Sequence, residues 1–548
     1  MRQTASRRDQ PMTIEAHIVP TMHALLVHPR TPPTYWGFQH SLPIAGKAAS
    51  LPPLGLLSLA PLLPREWDIR VLDENTEPLT DDALRWADVV FLTGMIIHAA
   101  GMREVLARAR RLGKRTVVGG PAVNTDPGLF PEADHLFRGE AEGRTDRLVG
   151  ALRTPGEKAP RLLSPEAEDR PAMTIVPTPR FDLVDHRRYA SMSLQYSRGC
   201  PFQCEFCDII EVFGRKPRTK TPDQVRAELD ALRATGYRGS VFFVDDNFIG
   251  NRVAVAGMLP HVTRWQEENG FPFEFYTEAS VDLATKPELI DSMVGAGFTS
   301  VFLGIESPSP ESLKETHKFQ NLRLDPAEAV RRITHAGLEV FAGFIVGFDN
   351  DGPEIFGAQR EFISSVPVPV AMIGVLTALP GTQLTRRLEK EGRLRVVTTG
   401  DQFDRPNFRT TMDERTLLAG YAELLAELYR PESFYRRCQM LIDTVGRPKA
   451  RLRWRPGGLR VLLRTIWRIG VRSPQRREFW QLVARTLLRA PHAFPRAIEL
   501  AIQGEHLIRY TREDVLPRLA RALQVVRSET TVGGAPPLRA QAAAAQPL

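Results

Sequence analysis

The chain has 548 residues, of which 43% are hydrophobic and 25% charged, and its formal net charge is +8. This length exceeds a single hydrophobic core and predicts two or three domains, while four cysteines are too few for a disulfide framework. Residues 1–13 lack the apolar core of a signal peptide, and no apolar run approaches the roughly 20 residues of a membrane span. We therefore expect a cytoplasmic protein without a membrane span, with or without association to a membrane surface.

Short apolar runs alternate with helical stretches over the first 150 residues. The runs occupy residues 23–29, 67–75, 87–94, 115–121 and 133–140. One helical stretch, 102–113, closes on a glycine that suits a helix C-terminus. Because buried strands that alternate with helices are typical of parallel sheets, residues 20–150 are predicted to form a doubly wound α/β domain.

A second alternating series follows a linker that is rich in Pro and charge, predicted for residues 151–190. The candidate strands of this series begin near residues 194, 240, 273, 300, 339 and 370. These spacings suit strand–helix units of about 30 residues or more. Thr221-Pro222 and Asp325-Pro326 are helix start signals between strands. Residues 191–400 are therefore predicted to form a partial or complete (β/α)6 barrel.

The remainder of the chain is predicted to be a helical domain, 401–530, followed by a disordered tail, 531–548. From Arg447 to Arg496, fourteen Lys or Arg residues stand against one acid, Glu478. The positive charge of this tract is larger than the net charge of the whole chain, +8. Four arginines lie four apart on one face of a predicted amphipathic helix: Arg460, Arg464, Arg468 and Arg472. The apolar residues Leu459, Leu462, Leu463, Ile466 and Trp467 fall largely on another face.

Two interpretations of this basic helix stay open. It fits a membrane surface, and it equally fits the solvated face of a helix packed against the barrel. Binding to nucleic acid is disfavoured, because few aromatic residues are interleaved with the basic ones and no nucleic-acid motif occurs.

Three of the four cysteines lie within eight residues, in SRGCPFQCEFC (197–207). The loop follows the first predicted barrel strand. Three thiolates can hold three irons of a cubane cluster and leave the fourth iron open for a ligand. One alternative is a zinc site, but zinc normally needs four ligands and the nearest histidine in the sequence is His186. The other alternative is that the three cysteines are purely structural.

Polar residues follow most of the predicted barrel strands. They are Asp245, Asp246 and Asn247 after the second strand, Glu278 after the third, and Glu306 and Ser307 after the fourth, while a glycine, Gly347, follows the fifth. In α/β barrels function collects at the carboxyl ends of the strands. These residues and the cysteine loop are therefore predicted to share one face.

The cysteine motif, with an aromatic residue before its last cysteine, resembles the signature of the radical S-adenosylmethionine (SAM) superfamily. The resemblance implies that Cys200, Cys204 and Cys207 ligate a 4Fe–4S cluster whose open iron binds the amino and carboxylate groups of SAM. It implies that electron transfer then cleaves SAM to a 5′-deoxyadenosyl radical. The implied SAM contacts are Phe206, Asp245, Asp246, Glu278, Glu306, Ser307 and Gly347. VDDNF (244–248) stands where many members of the superfamily have GGE.

The N-terminal region resembles the cobalamin-binding domain that precedes many radical SAM barrels. TGM (93–95) and GGP (119–121) stand where the ligand loops of that fold lie, because glycine lets a backbone approach a large ligand closely. The implied cobalamin contacts are Thr93, Gly94, Met95, Gly119, Gly120, Pro121 and Glu140. HPRTPP (28–33) replaces the histidine motif DxHxxG, which predicts cobalamin without a histidine on cobalt. An accessory Rossmann-like module is the alternative.

The segments 207–225 and 244–251 and the helical C-terminal region resemble the branch that includes the hopanoid 2-methylase, over roughly residues 20–530. The resemblance implies a cobalamin-dependent methyltransferase that acts on an unactivated carbon of a small molecule, with a lipid or terpenoid as one option. One SAM would methylate cobalt, a second would yield the radical, and a flavodoxin or ferredoxin would supply electrons. The alternatives are a non-methylating radical rearrangement or cyclisation and a non-catalytic cobalamin or redox sensor. The acidic strand ends disfavour the sensor.

Overall fold

The computed structural model describes residues 22–153, 160–164, 170–446 and 457–532. These residues form an N-terminal parallel sheet, a second parallel sheet curved into an open barrel, and a C-terminal group of helices. Parts of the predicted linker and basic tract, and nearly all of the predicted tail, lie outside the described residues.

The first sheet has six parallel strands in the order β2-β1-β3-β4-β5-β6. The strands are β1 (His23–His28), β2 (Asp68–Asp73), β3 (Val89–Thr93), β4 (Arg115–Gly119), β5 (His135–Phe137) and β6 (Leu162–Leu163). The helices are α1 (Leu42–Ala45), α2 (Leu54–Leu59), α3 (Asp81–Trp86), α4 (Ala99–Arg111), α5 (Pro121–Thr125) and α6 (Thr145–Arg153). The strand order reverses between β1 and β3, which is where such sheets bind ligands.

Both faces of this sheet are covered, which explains why its strands read as continuous apolar runs. Along β1, Leu25 and Val27 pack into the apolar cluster on one face. Ala24 and Leu26 pack into the cluster on the other face. The doubly wound parallel sheet that the sequence predicts is confirmed.

The second sheet is also parallel and has the order β14-β13-β12-β11-β10-β7. Its strands are β7 (Met192–Leu194), β10 (Gly239–Phe243), β11 (Phe273–Ala279), β12 (Phe298–Glu306), β13 (Glu339–Val346) and β14 (Ala371–Val375). Its helices are α8 (Pro222–Ala234), α9 (Arg252–Asn269), α10 (Pro287–Gly295), α11 (Pro310–Glu315), α12 (Pro326–His335), α13 (Ile355–Ser365) and α14 (Gln383–Lys390). Since spatial order follows chain order, with β7 and β14 as the edges, the predicted (β/α)6 barrel is confirmed.

A short antiparallel pair closes the loop that holds the cysteines. β8 (Ser197–Arg198) pairs with β9 (Arg218–Thr219), and the helix α7 (Ile209–Val212) lies between them. The ladder brings the two ends of the 199–217 loop together beside the carboxyl end of β7.

The C-terminal helices cover the β14 edge of the barrel. They are α15 (Glu414–Leu428), α16 (Pro431–Thr444), α17 (Gly458–Thr465), α18 (Arg476–Arg489), α19 (Phe494–Tyr510) and α20 (Leu516–Val532). The hydroxyls of Tyr421 and Tyr429 donate to the β14 carbonyls of Ile373 and Ala371. π-Helical segments follow α17, at Ile466–Arg472, and join α19 to α20, at Thr511–Val515. Among the described helices, none combines the length and apolar character needed to cross a bilayer.

Candidate active site

The cysteine loop depends on a glycine immediately before its first cysteine. Gly199 has a φ of +97°, and a Cβ atom there would lie 2.8 Å from the carbonyl oxygen of Gly214. The backbone amide of Cys200 donates to that same oxygen at 3.2 Å. A side chain at position 199 would therefore meet both backbone strain and a steric clash.

Glu205, inside the cysteine motif, anchors the loop to the barrel. Its buried carboxylate accepts two hydrogen bonds from Arg387 of α14, at 2.6 and 3.1 Å. Its backbone amide donates to the carbonyl of Thr316, at the end of α11. The sequence pattern predicts a site role for neither Glu205 nor Arg387. The only signal for such a role is that Glu205 is a charged residue within the cysteine motif.

Polar donors surround the cysteine sulfurs. The Asn247 amide lies 3.8 Å from Cys200 Sγ, and the Gln320 amide lies 3.5 Å from Cys204 Sγ. Burial raises the pKa of the Cys200 and Cys207 thiols. Hydrogen bonds to sulfur and a largely buried setting are among the features that tune iron–sulfur clusters.

The arrangement of the three thiols fits a cluster. Among the described residues, no three His, Cys, Asp or Glu side chains are placed to hold a single metal ion. A cubane distributes three thiolates over three irons, and soft thiolates are the ligands that iron–sulfur clusters take. The chemistry of this donor set, three thiols in one tight loop, therefore fits a 4Fe–4S cluster.

Two half-buried carboxyl groups, Asp246 and Glu278, lie near one another at neighbouring strand ends. Burial, reinforced by Asp245, raises the pKa of Asp246 to about 7. Burial, reinforced by Asp246 and Asp245, raises the pKa of Glu278 to about 8. Among the described residues, Asp246 Oδ2 has no hydrogen-bond partner. A buried carboxylate without a partner is costly, so this pair suits a ligand that carries positive charge.

Asp245 has a different environment from Asp246. Its buried carboxylate accepts from the backbone amides of Tyr196, at 3.0 Å, and Ser197. Burial raises the pKa of Asp245 to about 6, and these hydrogen bonds oppose the rise. Asp245 thus fixes the turn between β7 and β8, and a direct contact with SAM stays a prediction.

A buried lysine brings two predicted SAM contacts together. Lys318 pairs with the carboxylate of Glu306, whose φ of +66° is a strained conformation for a residue other than glycine. The Lys318 ammonium lies 5.7 Å from the centroid of the Phe206 ring. Sequence reasoning missed Lys318, because it follows no strand directly.

Ser307 and Gly347 lie in tightly bonded turns after β12 and β13. The Ser307 hydroxyl accepts from the backbone amide of Ser309 at 3.2 Å. The Gly347 amide donates to Asp351 Oδ2 at 2.9 Å, and Asp351 also accepts from the Ser312 hydroxyl. Asp351 therefore holds the end of β13 against α11.

The carboxyl edge of the first sheet presents bare backbone. Gly120 has a φ of +87°, and a Cβ there would lie 2.1 Å from Thr93 Oγ1. A Cβ at Gly94 would lie 2.8 Å from His98 Cβ and 2.9 Å from Met102 Sδ. The next residue, Met95, is 56% exposed. Packing within the domain therefore requires glycine at positions 94 and 120. The edge lies beside the point where the strand order reverses, which is where such sheets bind ligands, and this position fits cobalamin.

Two histidines lie beneath this edge. The rings of His28 and His98 are 5.1 Å apart. Because His98 Nδ1 accepts from the Met95 amide, its Nε2–H donates to Thr31 Oγ1 at 3.1 Å. Burial, followed by the effect of His28, lowers the pKa of His98 to about 4. His28 Nδ1 is buried without a partner among the described residues, and cobalamin without a histidine on cobalt stays a prediction.

Glu140, predicted as a cobalamin contact, pairs with arginines of the cysteine loop. It lies 2.6 Å from Arg198 and 2.7 Å from Arg218. The structure thus places this carboxylate between the first sheet and the β8–β9 ladder, and its contact with cobalamin stays a prediction.

The barrel lumen is lined by aromatic side chains that keep partial exposure. Phe242 and Tyr276 stack with ring centroids 4.7 Å apart and planes 8° apart. Trp36, from the loop after β1, lies 5.1 Å from Phe302 of β12. Burial raises the pKa of Tyr276 to about 12. Glu278 lies two residues after Tyr276 in β11 and therefore on the same face of the strand. The lumen thus carries aromatic and charged side chains, and Trp36 of the first domain packs against its wall.

Three families match successive regions of the chain. Residues 44–149 match the B12 binding domain, residues 194–359 match the radical SAM superfamily, and residues 382–516 match a domain of unknown function, DUF4070.

Two relatives match almost the whole chain. An uncharacterized methyltransferase of Synechocystis sp. is 41% identical over 92% of this chain and 94% of its own length. The hopanoid C-2 methylase of Rhodopseudomonas palustris is 38% identical over 89% of this chain and 93% of its own length.

Two solved structures share the fold at low sequence identity. The cobalamin-dependent SAM radical enzyme OxsB, with aqua-cobalamin and SAM bound, has a TM-score of 0.55 at 15% identity and covers 93% of this chain and 84% of its own. The radical SAM methyltransferase TsrM from Kitasatospora setae, with cobalamin and a 4Fe–4S cluster bound, has a TM-score of 0.54 at 16% identity and covers 69% and 80%.

Proposed function

The chain belongs to the cobalamin-dependent radical SAM methyltransferases, and on this premise we propose that its substrate is an apolar polycyclic lipid. Its cofactors are a 4Fe–4S cluster, SAM and cobalamin. When bound, they supply a 5′-deoxyadenosyl radical that removes a hydrogen atom from the substrate and a methyl group that replaces it. The chain's own residues hold these groups and exclude water from the reacting carbon.

We assign the holding residues as follows. Cys200, Cys204 and Cys207 ligate the cluster. Asp246 and Glu278 face the positively charged part of SAM, because Asp245 is hydrogen-bonded to the backbone and Glu306 is paired with Lys318. The remaining proposed SAM contacts are Phe206, Asp245, Glu306, Ser307 and Gly347. The proposed cobalamin contacts are Thr93, Gly94, Met95, Gly119, Gly120, Pro121 and Glu140.

The aromatic lumen is the observation that carries the substrate proposal. The stacked pair Phe242 and Tyr276 gives the lumen wall an apolar surface against which fused hydrocarbon rings can pack, and apolar pockets bury most of a ligand's surface. An apolar substrate has no charged group to pair with the carboxylates at the strand ends, so these carboxylates stay available to SAM. The relative from Rhodopseudomonas palustris is a hopanoid C-2 methylase, which supports a polycyclic lipid of that class.

Expression in a bacterium that makes only unmethylated hopanoids tests this proposal. Mass spectrometry of the lipid extract should show hopanoids with one additional methyl group. The matched control is Cys204→Ala, which should leave the lipids unchanged. Unaltered hopanoids in cells that contain folded, cluster-bearing protein would contradict the substrate proposal.

We further propose that a small acidic electron carrier, a flavodoxin or ferredoxin, docks beside the cysteine loop. Arg215 and Lys216 are exposed within that loop, close in sequence to Cys207. Opposite charges steer such encounters. The double variant Arg215→Glu, Lys216→Glu should slow SAM cleavage driven by flavodoxin and spare cleavage driven by dithionite. An equal effect with both reductants would contradict docking at this surface.

A bilayer is the third proposed partner, because an apolar lipid must be collected from one. Along α17 and the π-helical segment, Leu459, Leu463 and Trp467 are each more than half exposed. The arginines Arg460, Arg464, Arg468 and Arg472 are exposed next to them. The buried side of this helix, Thr465 and Ile469, faces the protein. An apolar stripe beside a basic stripe is typical of helices that lie in a membrane interface.

A further inference from the structure

A buried ion network joins the loop after β5 to the β8–β9 ladder. Arg198 lies 2.6 Å from Glu140 and 2.8 Å from Glu142, while Arg218 lies 2.7 Å from Glu140. None of the four side chains is more than 14% exposed. Burial opposes ionisation of Glu142, but Arg198 outweighs burial, and the pKa of Glu142 lies below its usual value. The charges are therefore held by one another in a site largely closed to water.

The acidic half of the network is attached to the proposed cobalamin edge. Glu140 follows β5, and the amide of the preceding Gly139 donates to Asn124 Oδ1 at 2.7 Å. Asn124 belongs to α5, which begins immediately after Gly120. The loop that carries Glu140 is thus hydrogen-bonded to α5, the helix that begins after the proposed cobalamin contact Gly120.

The basic half is attached to the cysteine loop. Arg198 and Arg218 lie directly opposite each other in the β8–β9 ladder. Arg198 is followed by Gly199 and then by Cys200. Like charges that lie directly opposite each other in a ladder repel. The carboxylates of Glu140 and Glu142 therefore stabilise the pairing of Arg198 with Arg218.

We infer that Glu140, Glu142, Arg198 and Arg218 form a strut that fixes the cobalamin at one distance from the cluster. The inference rests on the proposed sites for these two cofactors. Hydrogen removal and methyl delivery act on one substrate carbon, so both cofactors must keep a fixed separation. A misplacement of about 1 Å can cost about 100-fold in rate. The arginines and Glu142 are positioning residues, and Glu140 combines this role with its proposed contact.

Arg218→Gln and Glu142→Gln test the strut without replacing a proposed cofactor contact. Both variants should bind iron and cobalamin as the wild type does and should still cleave SAM. The ratio of 5′-deoxyadenosine to methylated product should rise by about 10-fold or more, because the radical forms while methyl delivery is misaligned. Arg218→Lys should restore part of the coupling, since it keeps the charge and loses the bidentate geometry.

Pulsed electron paramagnetic resonance gives a second readout that needs no substrate. The dipolar interaction between reduced cluster and cob(II)alamin should report one narrow distance in the wild type and a broader distribution in Arg218→Gln. Arg332→Gln, which breaks an exposed pair with Glu328 on α12, should change neither readout. A narrow distance and an unchanged product ratio in both strut variants would overturn the inference. The distance measurement needs no substrate, so it can support the strut even if no hopanoid is methylated. Failure of the substrate proposal can therefore be distinguished from failure of the strut.

If Arg218→Gln loses cobalamin or iron, the milder Arg218→Lys and Glu142→Gln decide the matter. A broadened distance in either supports the strut. Wild-type distances in both, with full cofactor content, overturn it.

Discussion

Asp246 and Glu278 are the residues whose environment most resembles that of a binding site. They end neighbouring strands, and burial is the first cause of the high pKa of each. Asp245 adds to both shifts, although its own carboxylate is hydrogen-bonded to the backbone. Near pH 7 both groups therefore titrate readily, and a bound cation would favour their charged forms.

SAM affinity should accordingly depend on pH. SAM carries a fixed sulfonium charge, so its binding should pull down the raised pKa values and release protons. The dissociation constant should fall as the pH rises through the range from about 6 to about 9, which brackets these pKa values. Calorimetric titration in two buffers with different ionisation enthalpies would count the protons. Asp246→Asn should flatten the pH dependence, and a pH-independent affinity in the wild type would contradict the assignment.

At the scale of elements, the cysteine loop is a separate unit on the barrel. The β8–β9 ladder, Glu205 and Gly199 fix it at three points. Gly199→Ala should strain this loop, because its Cβ would meet the Gly214 oxygen at 2.8 Å. We expect purified Gly199→Ala to contain markedly less cluster iron than the wild type after anaerobic reconstitution.

Gly236→Ala is the matched control for Gly199→Ala. Gly236 has a similar φ, +85°, but no atom lies within 4 Å of its built Cβ. This variant should show a backbone cost of about 1 kcal/mol in the free energy of unfolding and keep its iron. Equal iron loss in both variants would show that the crowding at Gly199 has no special role.

Regular elements were predictable from the sequence because their signals are local. The strands β1 to β5, the six barrel strands and the caps at Thr221 and Asp325 follow from apolar runs and start signals. The strand β6 was missed, because its two residues lie in the predicted linker and carry no pattern. The β8–β9 ladder was not predictable, since two residues per strand carry no pattern. Likewise, nothing local shows that Glu140 meets Arg198, 58 residues later, or that Lys318 meets Glu306 in the site. The domain boundaries stay predictions.

At the scale of the whole molecule, the exposed apolar and basic stripes lie close to the N-terminal domain. A Cβ at Gly46, which ends α1, would lie 2.8 Å from the Arg464 guanidinium. The loop that leads to α1 also carries Trp36, which enters the barrel lumen beside Phe302. The basic stripe therefore contacts, through Arg464, the segment of the first domain that also carries Trp36.

Cosedimentation with vesicles tests whether the stripes meet a bilayer. Each basic side chain near anionic lipid contributes about 1 kcal/mol, and salt weakens this as the Debye length falls below about 10 Å. The wild type should sediment with anionic vesicles at low salt, less so at high salt, and weakly with neutral vesicles. A variant with glutamine in place of Arg460, Arg464, Arg468 and Arg472 should lose the salt-sensitive part of the binding to anionic vesicles. Arg332→Gln is the control on a distant surface, and identical sedimentation of wild type and the fourfold variant would contradict membrane contact.

The most direct test of the account follows the methyl group of SAM with purified, reconstituted enzyme. SAM with a deuterated methyl group, a hopanoid, cobalamin and a one-electron reductant are incubated anaerobically with wild type, Cys204→Ala or Cys438→Ala. Cys438 is buried in α16, away from the loop, and its variant should remain active. The account predicts a hopanoid that carries the deuterated methyl group in place of hydrogen, with 5′-deoxyadenosine formed alongside it. A rearranged or cyclised product without the deuterated methyl group would contradict the account.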